Sequence, residues 1–246
     1  QTVVTEAINA LAAIQAAAQG NSATSTTPSV AQYDALGVTG VTEANLASIN
    51  DALNDADVTG TQADTAAKVQ AIVDGFNAIL TNADGTANNA SNPTQANYAA
   101  IGVSGVDSAP KVSLLGDVID TLVATQVDQV AEVQALADAV SAVMVVAATG
   151  ATSVLSKAQL EALGITGLTE DNLSAVLSAI AATSDDGTAV DTLSELQSVV
   201  TSAATAQLAA INKIAAYAET GLTAPLEADY AAAGVAGVSA ANLGAI

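Results

Sequence analysis

YDALGVTGVTEANL, residues 33–46, decides the fold of this chain because it returns three more times. The further copies are YAAIGVSGVDSAP at 98–110, LEALGITGLTEDNL at 160–173 and YAAAGVAGVSAANL at 230–243. We name this stretch the glycine motif. The first glycines of the copies are 65, 62 and 70 residues apart, in the order Gly37, Gly102, Gly164 and Gly234. Recurrence at a nearly constant interval predicts a tandem array of similar units.

Each glycine motif is typical of the end of one helix and the start of the next. Glycine accepts the left-handed conformation that ends many helices, so we expect a short helix to stop at the first glycine. Five residues later every copy has a residue that caps helix N-termini well, namely Thr42, Asp107, Thr169 and Ser239. The sequence GVTG lacks the lysine and the preceding strand of a phosphate-binding loop. The motif is therefore interpreted as a structural connection.

Three helices are predicted in each unit, in the order short, medium and long. The short helix follows a proline such as Pro28, which suits the first helical position with Thr27 as the N-cap. The long helix has apolar residues at spacings of three and four, as in residues 69–80, and in the third copy it extends to about Glu219. We predict an all-α fold, a tandem array of small three-helix bundles of about 65 residues that forms an elongated rod.

The boundaries of the predicted repeats follow from the spacing of the glycine motif. Residues 1–20 are expected to be the last helix of a truncated repeat, and residues 222–246 the start of another truncated repeat. Between them, three complete three-helix repeats are predicted at 21–89, 90–151 and 152–221. Each repeat is long enough to enclose a small apolar core.

Composition excludes several classes of partner. The 25 acidic residues and 4 lysines give a formal net charge of −21, which repels phosphate backbones and anionic lipid head groups, so nucleic acid is not expected as a partner. The most apolar stretch, residues 139–151, is interrupted by polar residues and is too short to span a bilayer. We therefore expect a buried helix there and no membrane insertion. Cysteine is absent, which leaves neither disulfides nor thiolate metal sites.

The sequence offers little for catalysis. Histidine, cysteine, arginine and tryptophan are absent, so the usual proton shuttle and thiolate nucleophile are missing. We predict no enzymatic activity, no catalytic residue and no cofactor. Acidic residues in the turns carry the oxygen ligands that calcium prefers, but none of these turns closes with a bidentate glutamate, and aspartate is common in ordinary turns. A calcium site and simple turn chemistry therefore both stay open for Asp55, Asp57, Asp84, Asp185 and Asp186.

An aromatic residue precedes the first glycine in most copies of the motif. Tyr33, Tyr98 and Tyr230 lie four residues before it, and Leu160 replaces tyrosine in the third copy. Replacement by leucine favours packing as the role of this position. A shared aromatic platform for a ligand is the alternative.

The whole chain resembles a known class of repeat proteins. Units rich in Ala, Thr, Asn, Asp and Val, with motifs such as ALGVTGVTEANL at 35–46, resemble the helical repeat regions of giant secreted bacterial adhesins and other cell-surface proteins. Their three-helix organisation also resembles the GA-like modules of bacterial surface proteins. The resemblance implies a non-enzymatic spacer or stalk in an extracellular, cell-surface protein, with neighbouring repeats of the same chain as its partners. Two alternatives stay open: a subunit that assembles with copies of itself into a filament or surface layer, and a module that binds a host protein or glycan.

Overall fold

The protein is all-helical. A computed structural model describes residues 2–20, 27–87 and 92–246, and 64% of these residues are helical. No strand occurs within these ranges, where the only extended pairing is an isolated bridge between Asp84 and Val123. The predicted all-α class is confirmed.

The chain divides into two compact units, residues 1–141 and 142–246. The first unit contains α1 (Thr2–Gly20), α2 (Val30–Leu36), α3 (Leu46–Leu53), α4 (Ala66–Asn82), α5 (Gln95–Ala100), α6 (Ala109–Asp120), a 3-10 helix (Ala124–Gln126) and the start of α7 (Val130–Thr149). Helix α1 packs against α2 and α3, whereas α4 packs against α3, α5 and α6. Each of these long helices therefore contacts short and medium helices of the predicted repeat that follows it, and α4 also contacts the medium helix of its own.

The second unit has the same order of helices. It contains the end of α7, a 3-10 helix (Thr152–Val154), α8 (Lys157–Ala162), α9 (Glu170–Ala181), α10 (Leu193–Thr220), α11 (Glu227–Ala232) and a last 3-10 helix (Leu243–Ala245). Helix α10 packs against α9 before it and α11 after it. It is a single helix of 28 residues that begins after the N-cap Thr192 and ends at Gly221, which confirms the long helix predicted in the third copy.

The short helices begin later than the prolines predict. Helix α2 begins at Val30, so Pro28 lies before the N-cap Ser29 and not at the first helical position. The backbone N–H of Ser29 donates to Gln32 Oε1 at 2.9 Å, and the same box joins Thr94 to Asn97 before α5 and Ser156 to Gln159 before α8. These side chains satisfy N–H groups that a helix start leaves unpaired, and this local chemistry sets the first residue of each short helix.

Aliphatic side chains fill most of the core. In the first unit the long helix α4 buries Val69, Ile72, Val73, Phe76 and Ile79, at the spacings that the sequence predicts for one apolar face. In the second unit the corresponding face of α10 buries Leu196 and Val200. A core with so few aromatic residues requires close approach of the helices, which alanine and glycine permit.

Helix α7 is the most apolar element of the described chain. Its 20 residues are long and apolar enough to cross a membrane by length and composition, and most of its apolar window is buried inside the protein. Val133, Val140, Val143 and Val146 are all fully buried. A helix this rich in apolar residues is typical of a protein core as well as of a membrane span. The observed burial agrees with the buried helix expected for residues 139–151.

Candidate functional site

The four copies of the glycine motif share one backbone conformation. The first glycines have φ angles of 81°, 90°, 85° and 83°, in the left-handed region that glycine adopts without strain, at Gly37, Gly102, Gly164 and Gly234. The residue after each glycine donates its N–H to the carbonyl four residues before the glycine, as Val38 does to Tyr33 at 3.0 Å. The same bond joins Val103 to Tyr98, Ile165 to Leu160 and Val235 to Tyr230. This bond closes the C-terminus of each short helix.

An asparagine holds the turn of three copies. It lies eight residues after the first glycine, at Asn45, Asn172 and Asn242. Its Oδ1 accepts from the N–H of Thr42, Thr169 or Ser239 at 2.6, 2.8 and 2.7 Å, and its Nδ2 donates to the carbonyl of the second glycine of the motif at 2.8 Å in all three. We name this pair of bonds the asparagine contact. In the second copy Pro110 occupies the position and cannot form it.

The predicted N-caps differ in what they do. Thr169 is the N-cap of α9, where its Oγ1 accepts from the N–H of Asn172 at 3.1 Å. Thr42 and Ser239 instead begin a turn, and the helices after them have Asn45 and Asn242 as N-caps.

Asp107 departs from the predicted role as well. The N-cap of α6 is the next residue, Ser108, because Pro110 has no N–H to donate at the place where a cap at Asp107 would need one. The Asp107 carboxylate binds Lys111 Nζ at 2.8 Å instead.

A glutamine on each of the long helices α4, α7 and α10 binds the backbone of a glycine motif. Gln70 Oε1 accepts from the N–H of Thr39 at 2.8 Å, and Gln70 Nε2 donates to the carbonyl of Thr39 at 3.0 Å. The same two bonds join Gln134 to Ser104 at 2.9 and 3.4 Å and Gln197 to Thr166 at 2.9 and 3.2 Å. We name this pair of bonds the glutamine contact. It joins the long helix to the turn between the short and medium helices of the same predicted repeat.

The sequence carries a weaker pattern that indicates this contact. KVQAIV at 68–73, EVQALA at 132–137 and ELQSVV at 195–200 each place glutamine between apolar residues, 33, 32 and 33 residues after the first glycine. A glutamine that recurs between apolar residues at the same distance after the first glycine is the observable clue. Its partner is a backbone group more than 29 residues away, so local pattern reasoning does not find it.

The motif tyrosines are buried and do not form an exposed platform. Tyr33 and Tyr98 have no exposed surface, and Leu160 at the same position has none either. Burial raises the pKa of both tyrosine hydroxyls well above its usual range. Tyr33 Oη donates to Asn50 Oδ1 at 2.8 Å, and Asn50 Nδ2 donates to the carbonyl of Pro28 at 2.8 Å. The hydroxyl of Tyr98 is buried without a hydrogen-bond partner.

The calcium candidates lie in separate turns. Asp55 Oδ1 accepts from the N–H of Asp57 at 2.9 Å, and Asp84 Oδ1 accepts from the N–H of Thr86 at 2.8 Å. Asp57 and Asp185 are exposed. Within residues 2–20, 27–87 and 92–246, no three acidic side chains converge as a metal site would require.

Asp186 shows what these carboxylates do in the turns. Its Oδ1 accepts from Ser184 Oγ at 2.7 Å and from the N–H and the hydroxyl of Thr188 at 3.1 and 2.8 Å. These bonds, from Ser184 first, hold the pKa of Asp186 below its usual value. Hydrogen bonding of this kind to nearby backbone groups is turn chemistry.

All four lysines of the chain are paired with carboxylates. Lys68 binds Asp64 at 2.7 Å and Lys111 binds Asp107 at 2.8 Å, each within one helical turn. Lys157 of α8 binds Glu161 at 3.0 Å and Glu170 of α9 at 3.6 Å, and Lys213 of α10 binds Asp229 of α11. Two of the lysines therefore join neighbouring helices.

One groove of the second unit lies where three helices meet. It has a volume of about 340 Å³ and lies between α9, α10 and α11. Alanines supply most of its lining, with Ser174, Ser178 and Gln207 as its polar side chains. Gln207 Nε2 donates to the carbonyl of Asp171 at 2.9 Å, so the amide that faces the groove is engaged in holding α10 to α9. The groove presents small apolar surface and no charged group.

Comparison with known proteins adds no relative. No protein-family model, no curated protein and no solved structure matches the chain. The repeated polar contacts of the glycine motif are thus the features on which a functional argument can be built.

Proposed function

We propose that this chain is a non-enzymatic structural repeat segment of an extracellular bacterial surface protein, in which tandem three-helix repeats act as a spacer or stalk. The observation that carries the proposal is the glutamine contact, which recurs in register at Gln70, Gln134 and Gln197. The contact has the same geometry in all three predicted repeats. A contact repeated in this way serves the arrangement of the helices and not the recognition of one ligand.

The packing of the long helices supports a load-carrying role. Helix α4 packs against α3 of its own predicted repeat and against α5 and α6 of the next, and α10 packs in the same way against α9 and α11. In repeat proteins each repeat is stabilised by its neighbours. Further repeats can therefore be added that bury the same kind of apolar surface.

One further polar bond joins the first two predicted repeats. Asp51 Oδ2 of α3 accepts from the N–H of Val130, the first residue of α7, at 2.7 Å. A carboxylate at a helix N-terminus is favourable because it meets unpaired N–H groups and the positive end of the helix dipole. This bond joins α3 of the first predicted repeat to α7 of the second, and its two residues are 79 positions apart in the sequence.

The surface chemistry agrees with a segment exposed to solvent over its length. Every lysine is paired, so the net charge of −21 is carried by carboxylates without a basic patch. A net charge far from zero keeps proteins soluble.

Insertion of one repeat tests the spacer proposal by small-angle scattering. A chain with residues 152–221 present twice in tandem is longer by more than a quarter. A spacer grows in proportion to its length, whereas a globular particle of this size would have a radius of gyration near 18 Å that increases by only about 10%.

The radius of gyration of the original chain gives the reference. A value well above about 18 Å, with an increase of more than about 20% on insertion, supports the spacer. A compact particle whose radius grows by about 10% overturns it. Circular dichroism checks that the inserted repeat is helical.

A further inference from the structure

Two asparagine side chains of the first unit lie against one residue of α6. Asn82, the last residue of α4, is 2% exposed, and its Nδ2 donates to the carbonyl of Gly116 at 2.9 Å. Asn82 Oδ1 is buried and has no hydrogen-bond partner. Turning the amide over would place this oxygen against the carbonyl oxygen of Gly116, and two acceptors form no bond, so its orientation is fixed. An acceptor is therefore held inside the protein without a donor.

Gly116 allows the second asparagine to reach the same place. A Cβ at Gly116 would lie 2.8 Å from Asn92 Cγ, so only glycine permits this approach. Asn92 Oδ1 is also buried without a hydrogen-bond partner. Asp120 follows Gly116 by four residues on the same face of α6 and is 2% exposed. Two amide oxygens that require a donor or a cation thus flank Gly116, with a buried carboxylate one helical turn away.

The corresponding positions before the third copy of the glycine motif are apolar. Val146 has the position of Asn82, twelve residues after the glutamine that makes the glutamine contact, and it is fully buried. Val154 has the position of Asn92, ten residues before the first glycine of the motif. Valine fills the position of Asn82 in another buried helix, so packing alone does not require an amide there. The pair of asparagines is specific to the junction of the first and second predicted repeats.

Calcium matches the chemistry of these groups. Ca²⁺ takes about 6–8 oxygen ligands from carboxylates, amide carbonyls and water, in a flexible geometry. Mg²⁺ demands near-ideal octahedral geometry and retains several water molecules, so it suits a buried set of side chains less. The net charge of −21 raises the local concentration of cations around the chain. A buried water molecule could also donate to both amide oxygens, and the experiment below distinguishes the two.

We propose that Ca²⁺ binds between the end of α4 and α6, with Asn82 Oδ1, Asn92 Oδ1 and the Asp120 carboxylate as its protein ligands. Asp84, in the turn after α4, is exposed and its Oδ1 accepts from the N–H of Thr86, so it is not one of them. The bound ion joins the last residue of a long helix to the predicted repeat that follows. This goes beyond the spacer proposal, because a spacer needs no metal and its length on insertion of a repeat does not depend on this site.

Calorimetric titration of the full chain with CaCl₂ tests the site, with NaCl of equal ionic strength as the reference. We expect saturable binding with a dissociation constant of about 10⁻⁴–10⁻³ M, the range of extracellular calcium modules. Asp120→Asn removes the carboxylate ligand and should raise this constant at least about tenfold. Asn82→Val introduces the residue found at Val146 and should weaken binding to a similar extent.

Asp84→Asn is the matched control for the loss of charge. It removes one carboxylate close to the site in sequence and leaves the proposed ligands in place. Its dissociation constant should stay within about twofold of the original, because an exposed charge contributes little. Circular dichroism checks the folding of every variant. If Asp120→Asn does not fold, Asn82→Val and the spectra of the original chain still decide the outcome.

Nuclear magnetic resonance locates the bound ion. In proton–nitrogen correlation spectra the side-chain amide signals of Asn82 and Asn92 should shift as CaCl₂ is added, with the dissociation constant found by calorimetry. The amide of Asn50 is bonded to Tyr33 and to the carbonyl of Pro28, so its signal should stay in place. Ions spread over the acidic surface would not act selectively on a side chain as buried as Asn82.

Three outcomes would overturn the proposal. The first is no heat of binding beyond that of the NaCl reference, which would leave water alone at the two amide oxygens. The second is equal weakening in Asp84→Asn and Asp120→Asn, which would assign binding to the overall charge. The third is an Asn82 amide signal that does not move while calcium binds, which would place the ion elsewhere.

Discussion

The first and second copies of the glycine motif have the same backbone and different side-chain bonds. In the first copy the asparagine contact holds the turn, and Tyr33 is bonded to Asn50. In the second copy Pro110 replaces the asparagine, and Leu115 stands where the first copy has Asn50. The Tyr98 hydroxyl is then left without a partner, and the turn is bridged by Asp107 and Lys111.

The difference separates what the fold requires from what it tolerates. The left-handed glycine and the glutamine contact occur in both copies, and both act on the backbone. The asparagine contact and the bond from Tyr33 to Asn50 are absent from the second copy, because one polar bond contributes only about 1 kcal/mol and can be replaced. The glutamine contact joins the long helix to a turn about 30 residues away, and no neighbouring residue offers a substitute for it.

The junction between the two copies gives the largest expected effect. A Cβ at Gly75 would lie 2.6 Å from the carbonyl oxygen of Asn97 in α5. Gly75→Ala should therefore lower the free energy of unfolding by about 1–3 kcal/mol, although alanine favours helix by about 1 kcal/mol. Urea unfolding followed by circular dichroism measures the change.

Ser202→Ala is the matched control for this junction. Ser202 lies five residues after Gln197, as Gly75 does after Gln70, and it is exposed. Its substitution should change the free energy of unfolding by less than about 0.5 kcal/mol. If both variants behave alike, the close approach of α4 and α5 is not a stabilising feature of the first junction.

The two tyrosines should respond with opposite sign. Tyr33→Phe removes the donor to Asn50 Oδ1 and should lower the free energy of unfolding by about 1 kcal/mol. Tyr98→Phe removes a buried hydroxyl that has no partner, so we expect no loss and a gain of up to about 1 kcal/mol. Both variants are measured by urea unfolding, and each is the control for the other. Equal losses would show that Tyr98 has a partner in solution and that the two copies do not differ at this position.

The ion pair of the second copy gives the smallest expected effect. The hydrogen bond and charge of Lys111 hold the pKa of Asp107 below its usual value. A lowered pKa in the folded state means that the pair stabilises the protein above the ordinary carboxyl pKa and that this contribution is lost as the pH falls through the lowered value. Lys111→Met should return the Asp107 pKa to its ordinary range in an NMR titration.

Asp186 is the control within the same titration. Its pKa is lowered by Ser184 and Thr188 and not by a lysine, so Lys111→Met should leave it unchanged. If the Asp107 pKa stays low in the variant, the shift comes from the turn backbone. The ion pair would then not distinguish the second copy from the first.

Features governed by neighbouring residues could be predicted from the sequence. The all-α class, the span of α1 and the long helix α10 follow from apolar spacing and the positions of glycine. The prolines place the start of each short helix two residues too early, because the box of Ser29 and Gln32 puts the N-cap after the proline. Asp107 was expected to cap α6, but Pro110 removes the N–H that such a cap binds.

Features governed by distant residues could not be predicted in the same way. The glutamine contact joins groups about 30 residues apart, and nothing near Gln70 in sequence indicates that Thr39 is its partner. Leu160 correctly indicated that the tyrosine position is a packing position, because a side chain without a hydroxyl fills the same buried place. The division into repeats and the role as a spacer stay predictions.

The pairing of every lysine also bears on proteolysis. Trypsin cleaves after lysine and arginine, and this chain offers it Lys68, Lys111, Lys157 and Lys213 alone. Each lies within a helix and is bound to a carboxylate, so the protease has to wait for a helix to open before it can reach a peptide bond. A chain built in this way keeps its length among trypsin-like proteases for as long as its helices stay closed.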